Sequence, residues 1–435
     1  MDAGRQPLRA VPAARAPTPA AEPDGLRARF LRVRALTAAL LAPLSEADAT
    51  AQSMPEASPA KWHAAHTSWF FDTFLLVGLL GATPTRPAWD ALFNSYYLGL
   101  GRPIHPRGER GLLTRPSLAE VLDWRAEVDA AVLAAWGRLE ADARTVVATG
   151  LAHEEQHQEL LLSDLLHLMS RNPLTPACLP APPAAPAEPA PLRWCTHAGA
   201  VVEVGAPPGG FAFDCERPRH ASLVQPFALA SRAVTNAEWA AFIADGGYRT
   251  PALWLSDGWA WVQREGIAAP LHWREDGLEM TLAGLMPRNP AAPVAHVSHY
   301  EADAFATWAG ARLPTEAEWE AMAAPADPDS GNQLDTASHA PRPRPATGAA
   351  SAQAGPAQLF GDVWEWTASA FLPHPGFRPA PGLLGEYNGK FMSGQMVLKG
   401  GSCATPRGHL RASYRNFFPA PARWQWSGLR LARNA

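Results

Sequence analysis

Residues 171–192 read Arg-Asn-Pro-Leu-Thr-Pro-Ala-Cys-Leu-Pro-Ala-Pro-Pro-Ala-Ala-Pro-Ala-Glu-Pro-Ala-Pro-Leu. Proline fixes φ and lacks an N–H, so neither a helix interior nor a central strand can run through this stretch. It reads as an extended, semi-rigid Pro/Ala linker, and it cuts the chain into two halves of different character. A length of 435 residues with 47% hydrophobic content suits two cores.

Upstream, residues 26–170 carry helical periodicity. Leu26 to Leu44 places Leu, Phe and Val at helical spacing. Ser58-Pro59 predicts the start of a second helix reaching Leu80, with Ser58 as N-cap and proline at the first helical position. Ser117-Leu-Ala-Glu120 is a capping box that opens a third helix, to about Leu139. Asp142 to Met169 forms a fourth, and four such helices suggest an antiparallel bundle. Residues 1–25, rich in Ala and Pro, are expected to be a disordered tail.

Downstream, residues 193–435 alternate short β-prone stretches (Ala200–Val204, Phe211–Asp214, Gln395–Lys399, Gly428–Ala432) with Gly/Pro loops. Helices are expected at Tyr300–Ala309 and Thr315–Ala323, the second opened by Thr315-Glu-Ala-Glu318. The fold class is therefore multidomain, an α bundle followed by an irregular α+β domain. Residues 324–357 read as a mobile surface insertion.

Charge excludes one class of function. A net charge of −4 provides no basic field for nucleic acid. No run of apolar residues is long enough for a membrane span. The four cysteines (Cys178, Cys195, Cys215, Cys403) are scattered and contain no C-x-x-C, which suits reduced thiols in a cytoplasmic protein. The sequence assigns no oligomeric state.

The chemistry concentrates in His153-Glu-Glu-Gln-His157. Histidines at i and i+4 lie on one helical face and can share a metal ion. The five residues also fit the H-E-x-x-H pattern of zinc peptidases, with Glu154 as base. The extended form of that pattern fails, because Leu160 and Ser163 stand where Gly and His belong, though His167 remains a downstream candidate. Lys61-Trp-His-Ala-Ala-His66 offers a third imidazole from a facing helix, and spacing leaves His63 and His66 both open. Three neutral imidazoles with open positions would suit Fe(II), and spacing by itself does not distinguish iron from zinc.

The combination of Ser58-Pro-Ala-Lys-Trp-His-Ala-Ala-His66, Asn94-Ser-Tyr-Tyr97 and His153-Glu-Glu-Gln-His157 resembles the DinB-like helical domain of ergothioneine-biosynthesis sulfoxide synthases, the EgtB family. The second half is similar to the formylglycine-generating-enzyme fold, related to C-type lectins. Its marks are Gly310-Ala-Arg-Leu-Pro-Thr-Glu-Ala-Glu-Trp319, Gly361-Asp-Val-Trp-Glu-Trp-Thr367, Gly400-Gly-Ser-Cys403 and Arg411-Ala-Ser-Tyr-Arg-Asn-Phe-Phe418. The resemblance implies a mononuclear non-haem iron(II) enzyme. It would use O2 to join the sulfur of cysteine or γ-glutamylcysteine to the imidazole of hercynine (Nα-trimethylhistidine) as a sulfoxide.

By the same resemblance His66, His153 and His157 are the iron ligands, and His63 packs or supports them. Tyr96 or Tyr97 supplies a proton or electron, and the Tyr-Tyr pair is similar to the family branch thought to use cysteine directly. Gln156, Asn416, Phe417 and Phe418 match positions that meet hercynine, whose quaternary ammonium favours aromatic walls. Arg107, Arg110 and Arg115, in the loop after Tyr97, are candidates for the carboxylate of the thiol substrate. Glu154 and Glu155 are expected to be helix-surface charges or supports of the ligands, and Trp364 and Trp366 core residues. Alternatives are a selenosugar-using selenoneine synthase, a zinc metallopeptidase and a non-catalytic ligand-binding module. A formylglycine-generating activity at Cys403 would need a cysteine pair, and Cys403 has no neighbouring cysteine.

Overall fold

Hydrophobic periodicity sets the N-terminal half. In the computed structural model, which describes residues 23–101, 103–183, 188, 190–346, 355–380, 385 and 388–435, the helices are α1 (Pro23–Leu41), α2 (Glu46–Thr50), α3 (Ala60–Phe70), α4 (Asp90–Phe93), α5 (Leu118–Ala135) and α6 (Ala141–Arg171). The four longest of these follow the four sequence-derived helices within a few residues, apart from the far end of the second. There α3 widens after Phe70 into π-helical turns over Phe71–Val77. The expected tail over residues 1–25 lies outside the described residues up to position 22, and its last three residues form the first turn of α1.

The local reasons are visible. Phe30, Val33, Thr37, Leu40 and Leu41 of α1 are buried at spacings of three and four. Ser117 caps α5: its Oγ accepts the Glu120 N–H at 3.2 Å while Glu120 accepts the Ser117 N–H at 2.7 Å. Ser58 does not cap α3. Pro59 occupies that position, and the Ser58 N–H instead donates to Asp164 of α6 at 2.7 Å. At Gly150 of α6, a Cβ would come within 2.8 Å of the Phe70 and Phe71 rings, so only glycine permits this approach of α6 to α3.

The linker is not a free spacer. The N–H groups of Cys178 and Leu179 both donate to Leu282 O at 2.9 Å, and Ala340 N–H donates to Pro180 O at 2.8 Å. Leu179 is buried.

The C-terminal half contains β1 (Trp194–His197), β2 (Ala200–Val204), β3 (His220–Val224), β4 (Phe227–Ala230), α7 (Asn236–Ala244), α8 (Ser256–Glu265), β5 (Leu278–Thr281), β6 (Gly284–Pro287), α9 (His299–Trp308), α10 (Glu316–Ala323), β7 (Trp364–Ala370), β8 (Met396–Lys399), β9 (Asn416–Phe418), β10 (Ser427–Leu429) and β11 (Ala432–Asn434). One sheet has the order β10-β7-β8-β9, with β10 and β7 parallel. A second, β1-β4-β11, joins the first and last strands of the domain, and β2-β3 and β5-β6 are separate hairpins. Phe211–Asp214 is not a strand, and Gly428–Ala432 divides into the ends of β10 and β11. Trp366 is core, donating to Val297 O at 2.9 Å, and Arg430 pairs with Glu365 of β7 at 2.8 Å with both side chains buried.

The segment expected to be a mobile insertion packs instead where it is described. Leu334 and Ala340 are buried, and Leu334 N–H donates to Thr405 O at 2.9 Å. Its alanine and proline content misled because backbone pairing, not side-chain periodicity, holds it. Residues 347–354 of that segment lie outside the described residues.

Candidate metal centre

α3 and α6 run side by side and bring His66, His153 and His157 together, with one ligand atom from each lying within 4.8 Å of the others. His66 and His153 are buried, and His157 is partly so. The His66 ring is stacked on Trp62 at 4.6 Å and on Trp69 at 5.7 Å, which fixes its plane.

Hydrogen bonding fixes the tautomers. His66 Nδ1 lies 2.6 Å from the Phe93 carbonyl, an acceptor only, so Nδ1 carries the proton and Nε2 keeps its lone pair. That Nε2 faces His153 Nε2 at 3.1 Å. His63 Nε2 lies 3.1 Å from the Asp164 carboxylate, and His63 Nδ1 lies 2.8 Å from His157 Nδ1. A proton donated from His63 to Asp164 makes His63 Nδ1 the acceptor for His157 Nδ1–H. His157 Nε2 is then left with its lone pair. His63 thus holds the ring of His157, in the manner of carboxylate–histidine pairs behind metal sites.

Burial pushes the His66 and His157 pKa values well below the ordinary range, and that of His153 down to about 3. At neutral pH all three rings are neutral. Two imidazole nitrogens turned toward one another across 3.1 Å, with a third beside them, form a donor set that fits a divalent transition ion. The set by itself does not distinguish iron from zinc.

Glu154 and Glu155 are not surface charges. Glu154 is fully buried and accepts from Arg34 at 2.7 Å, from Thr37 at 2.6 Å and from Arg125. This fixes its pKa down at about 2 despite burial, the arginines outweighing the desolvation. A carboxylate locked between two guanidiniums is unavailable as the base that a peptidase reading requires. His167 lies ten residues, roughly 15 Å, further along α6 and hydrogen-bonds Ser53 at 2.7 Å.

The other expected site residues divide. Arg110 is buried, lies 3.4 Å over the Trp62 ring, donates to Ser58 Oγ at 2.8 Å and has its Nε without a partner among the described residues. Burial, with Arg107 nearby, lowers its pKa to about 9. Arg107 itself is exposed and donates to the Glu56 carbonyl, and Arg115 is exposed against Thr114 O. Tyr97 is buried one ring removed from the cluster, 5.6 Å from Trp69, which stacks on His66. Tyr96 packs on Tyr97 at 4.8 Å and meets Phe391 of the C-terminal domain at 5.5 Å.

The C-terminal domain meets the surroundings of the cluster at two places, Tyr96 and Asp164. Phe391 also lies 5.9 Å from Phe417, which stacks on Phe371 at 4.0 Å. Phe418 packs edge-on against Trp424 at 5.6 Å, and Trp424 donates to Asp164 at 3.1 Å. Asn416 sits on β9, opposite Leu398, with its Oδ1 accepting the Phe417 N–H at 2.9 Å. Gln156 donates to Tyr414 OH at 2.5 Å, and Trp364 donates to Glu159 of α6 at 2.7 Å. Cys403 is buried, and burial raises its thiol pKa well above the ordinary range. Asp164, Tyr414, His409 and Trp424 were not singled out from sequence. For Asp164 a signal existed, since it lies two helical turns (i+7) beyond His157 on the same face.

Comparison with known proteins agrees with this two-part architecture. Residues 29–169 match the DinB superfamily, and residues 193–435 match the sulfatase-modifying factor enzyme 1-like domain. The chain is 36% identical to a hercynine oxygenase of Mycolicibacterium thermoresistibile, covering 90% of this chain and 91% of that protein. It is 35% identical to a hercynine oxygenase of Mycobacterium tuberculosis, covering 94% and 99%. A formylglycine-generating enzyme of Streptomyces coelicolor is similar over a shorter region, 38% identical across 26% of this chain and 40% of that protein. Likeness along the whole length, through both domains in the same order, means that the chain belongs to the hercynine oxygenase family.

Proposed function

We propose that the protein is an iron(II)- and O2-dependent sulfoxide synthase that joins the sulfur of cysteine or γ-glutamylcysteine to the imidazole ring of hercynine in ergothioneine biosynthesis. The observation that carries this reading is the cluster of His66, His153 and His157 between α3 and α6, the first two buried and the third partly so, with burial holding all three rings neutral.

Thiol, ring C–H and O2 become a ring sulfoxide and water. Forming the C–S bond and oxidising the sulfur each remove two electrons, and O2 accepts all four, one oxygen going to sulfur and one to water. Iron held by the three Nε2 atoms would activate O2 and lower the thiol pKa. The chain's own groups bind, orient and move protons. In this reading the partly exposed Phe417 and Phe418 of β9 form the aromatic wall for the trimethylammonium. Asn416 uses its oxygen locally, so its Nδ2 is the group that meets the hercynine carboxylate. In this reading Arg110, whose Nε has no partner among the described residues, binds the carboxylate of the thiol substrate, whereas Arg107 and Arg115 are exposed. Tyr97 and Tyr96 connect Trp69, which stacks on His66, to Phe391, and in this reading one of them is the proton source.

The test is anaerobic loading with Fe(II), then O2 with hercynine and either thiol, read by mass spectrometry. A hercynyl-cysteine or hercynyl-γ-glutamylcysteine sulfoxide is expected. Absence of product with both thiols in iron-loaded, folded protein overturns the reading, and the ratio of the two products identifies the donor.

A further inference from the structure

Two carboxylates of α6 tie it to the second domain, each through an indole. Trp364 donates to Glu159 at 2.7 Å, and Trp424 donates to Asp164 at 3.1 Å. The further partners of the two carboxylates differ. Glu159 also accepts from Ser402 at 2.5 Å and from Thr405 at 2.7 Å, so its bonds stay with the second domain. Asp164 leads back into the first. Its Oδ2 accepts the Ser58 N–H at 2.7 Å, just ahead of α3, and lies 3.1 Å from His63 Nε2. His63 Nδ1 in turn lies 2.8 Å from His157 Nδ1.

Two fixed donors decide how Asp164 sits. The indole N–H of Trp424 and the backbone N–H of Ser58 can only donate, and they take opposite oxygens. The carboxylate is thereby pinned from both sides, Oδ1 by the second domain and Oδ2 by the start of α3. Without the indole, Oδ1 has no other partner among the described residues. The carboxyl torsion of an aspartate is soft, so the group could then turn and carry Oδ2 away from His63. Asp164 and His63 are both buried, which keeps bulk water from replacing the lost bond. An imidazole lone pair lies in the ring plane, so a turned His157 would misdirect its own. Removing the groups that hold ligating histidines lowers metal affinity about 10- to 100-fold.

We propose that Trp424 is a positioning residue for the metal centre: through Asp164 and His63 it sets the ring of His157, so that docking of the second domain raises the affinity of the histidine cluster for a divalent ion. The proposal rests on the reading that this cluster holds such an ion. Coupling of this kind is reciprocal, so ion binding strengthens the same contact between the domains.

Titration of the full-length chain with Co(II), followed by visible absorption, tests it. Trp424→Phe keeps a ring against Phe418 but removes the N–H, and should weaken Co(II) binding about tenfold. Trp364→Phe makes the same change at Glu159 and should leave the Co(II) affinity as in the parent. An unchanged affinity in Trp424→Phe overturns the proposal. An equal loss in Trp364→Phe overturns it as well, since that marks a general loosening of the domains. Asp164→Asn, which keeps the side-chain volume, should weaken Co(II) by at least about tenfold, and parental affinity in this variant overturns the proposal even if Trp424→Phe fails to fold. A parent chain that binds neither Co(II) nor Fe(II) sinks the metal reading and the proposal with it. Metal binding without any sulfoxide product sinks only the proposed reaction, and the affinities still decide the role of Trp424.

Discussion

Two buried polar clusters flank α6, one residue apart in sequence. His153 faces α3 and joins His66 and His157; Glu154 faces α1 and α5 and joins Arg34 and Arg125. Both clusters bury groups that water would otherwise solvate. The Glu154 cluster is closed: the carboxylate meets two guanidiniums and a hydroxyl, and Arg34 also reaches Asp129 at 2.5 Å. The histidine cluster is open: its outer nitrogens are fixed by Phe93 and by His63–Asp164, and its inner nitrogens face one another. A closed cluster holds helices together, whereas an open one with oriented lone pairs has room for a cation.

The largest expected effect breaks the open cluster. His153→Ala should abolish turnover and lower metal affinity by at least about 100-fold, as measured by bound iron per chain, with the fold retained. Full activity in this variant would remove the triad from the chemistry.

Glu154→Gln attacks the closed cluster. It leaves two buried guanidiniums with less compensation and should cost about 3 kcal/mol of stability by denaturant unfolding. Iron bound per folded chain should remain unchanged. Loss of turnover without loss of stability would restore Glu154 as a catalytic base and erase the contrast.

A pH series separates the two clusters in one molecule. His153 has its pKa pushed from 6.5 to about 3, so the unfolded chain takes up the extra proton between these values. The stability from its neutral burial is complete above about pH 6.5 and falls as the pH drops toward 3. Glu154 has its pKa lowered from 4.5 to about 2, so its contribution persists to about pH 4.5 and is lost below. Other buried histidines share the upper window. The His153→Ala variant should therefore flatten part of the loss between about pH 6.5 and 3 and leave the limb below about pH 3 unchanged. Identical slopes in parent and variant would contradict the burial argument.

The smallest effect belongs to an exposed neighbour. Arg107→Ala removes a solvent-facing side chain and should change stability by less than about 0.5 kcal/mol and turnover by less than twofold. Arg110→Ala, by contrast, should raise the KM for the thiol substrate. Equal effects from the two arginines would mean that burial over Trp62 does not single out Arg110.

How much of this was legible in the sequence depends on the range of the interaction. Apolar spacing, capping boxes and proline placement are local, and they located the four long helices and the end of the last one near residue 171. The i, i+4 histidine pair was equally plain. The choice of His66 over His63 rested on resemblance, since both lie in α3 and both meet α6. The segment 324–346 misled because its order comes from backbone pairing with distant loops, which composition does not record.

The sequence by itself determined that the chain would have a helical half and an irregular α+β half, and that two histidines would share a helical face. These follow from residue spacing and backbone chemistry over a few turns. Only the tertiary structure decided that Glu154 is locked between two arginines, that Asp164 meets His63, and that Gln156 meets Tyr414 of the second domain. Each of these depends on which groups meet across tens to hundreds of residues in a water-excluded interior, where a single partner determines whether a side chain is charged, neutral, a donor or an acceptor.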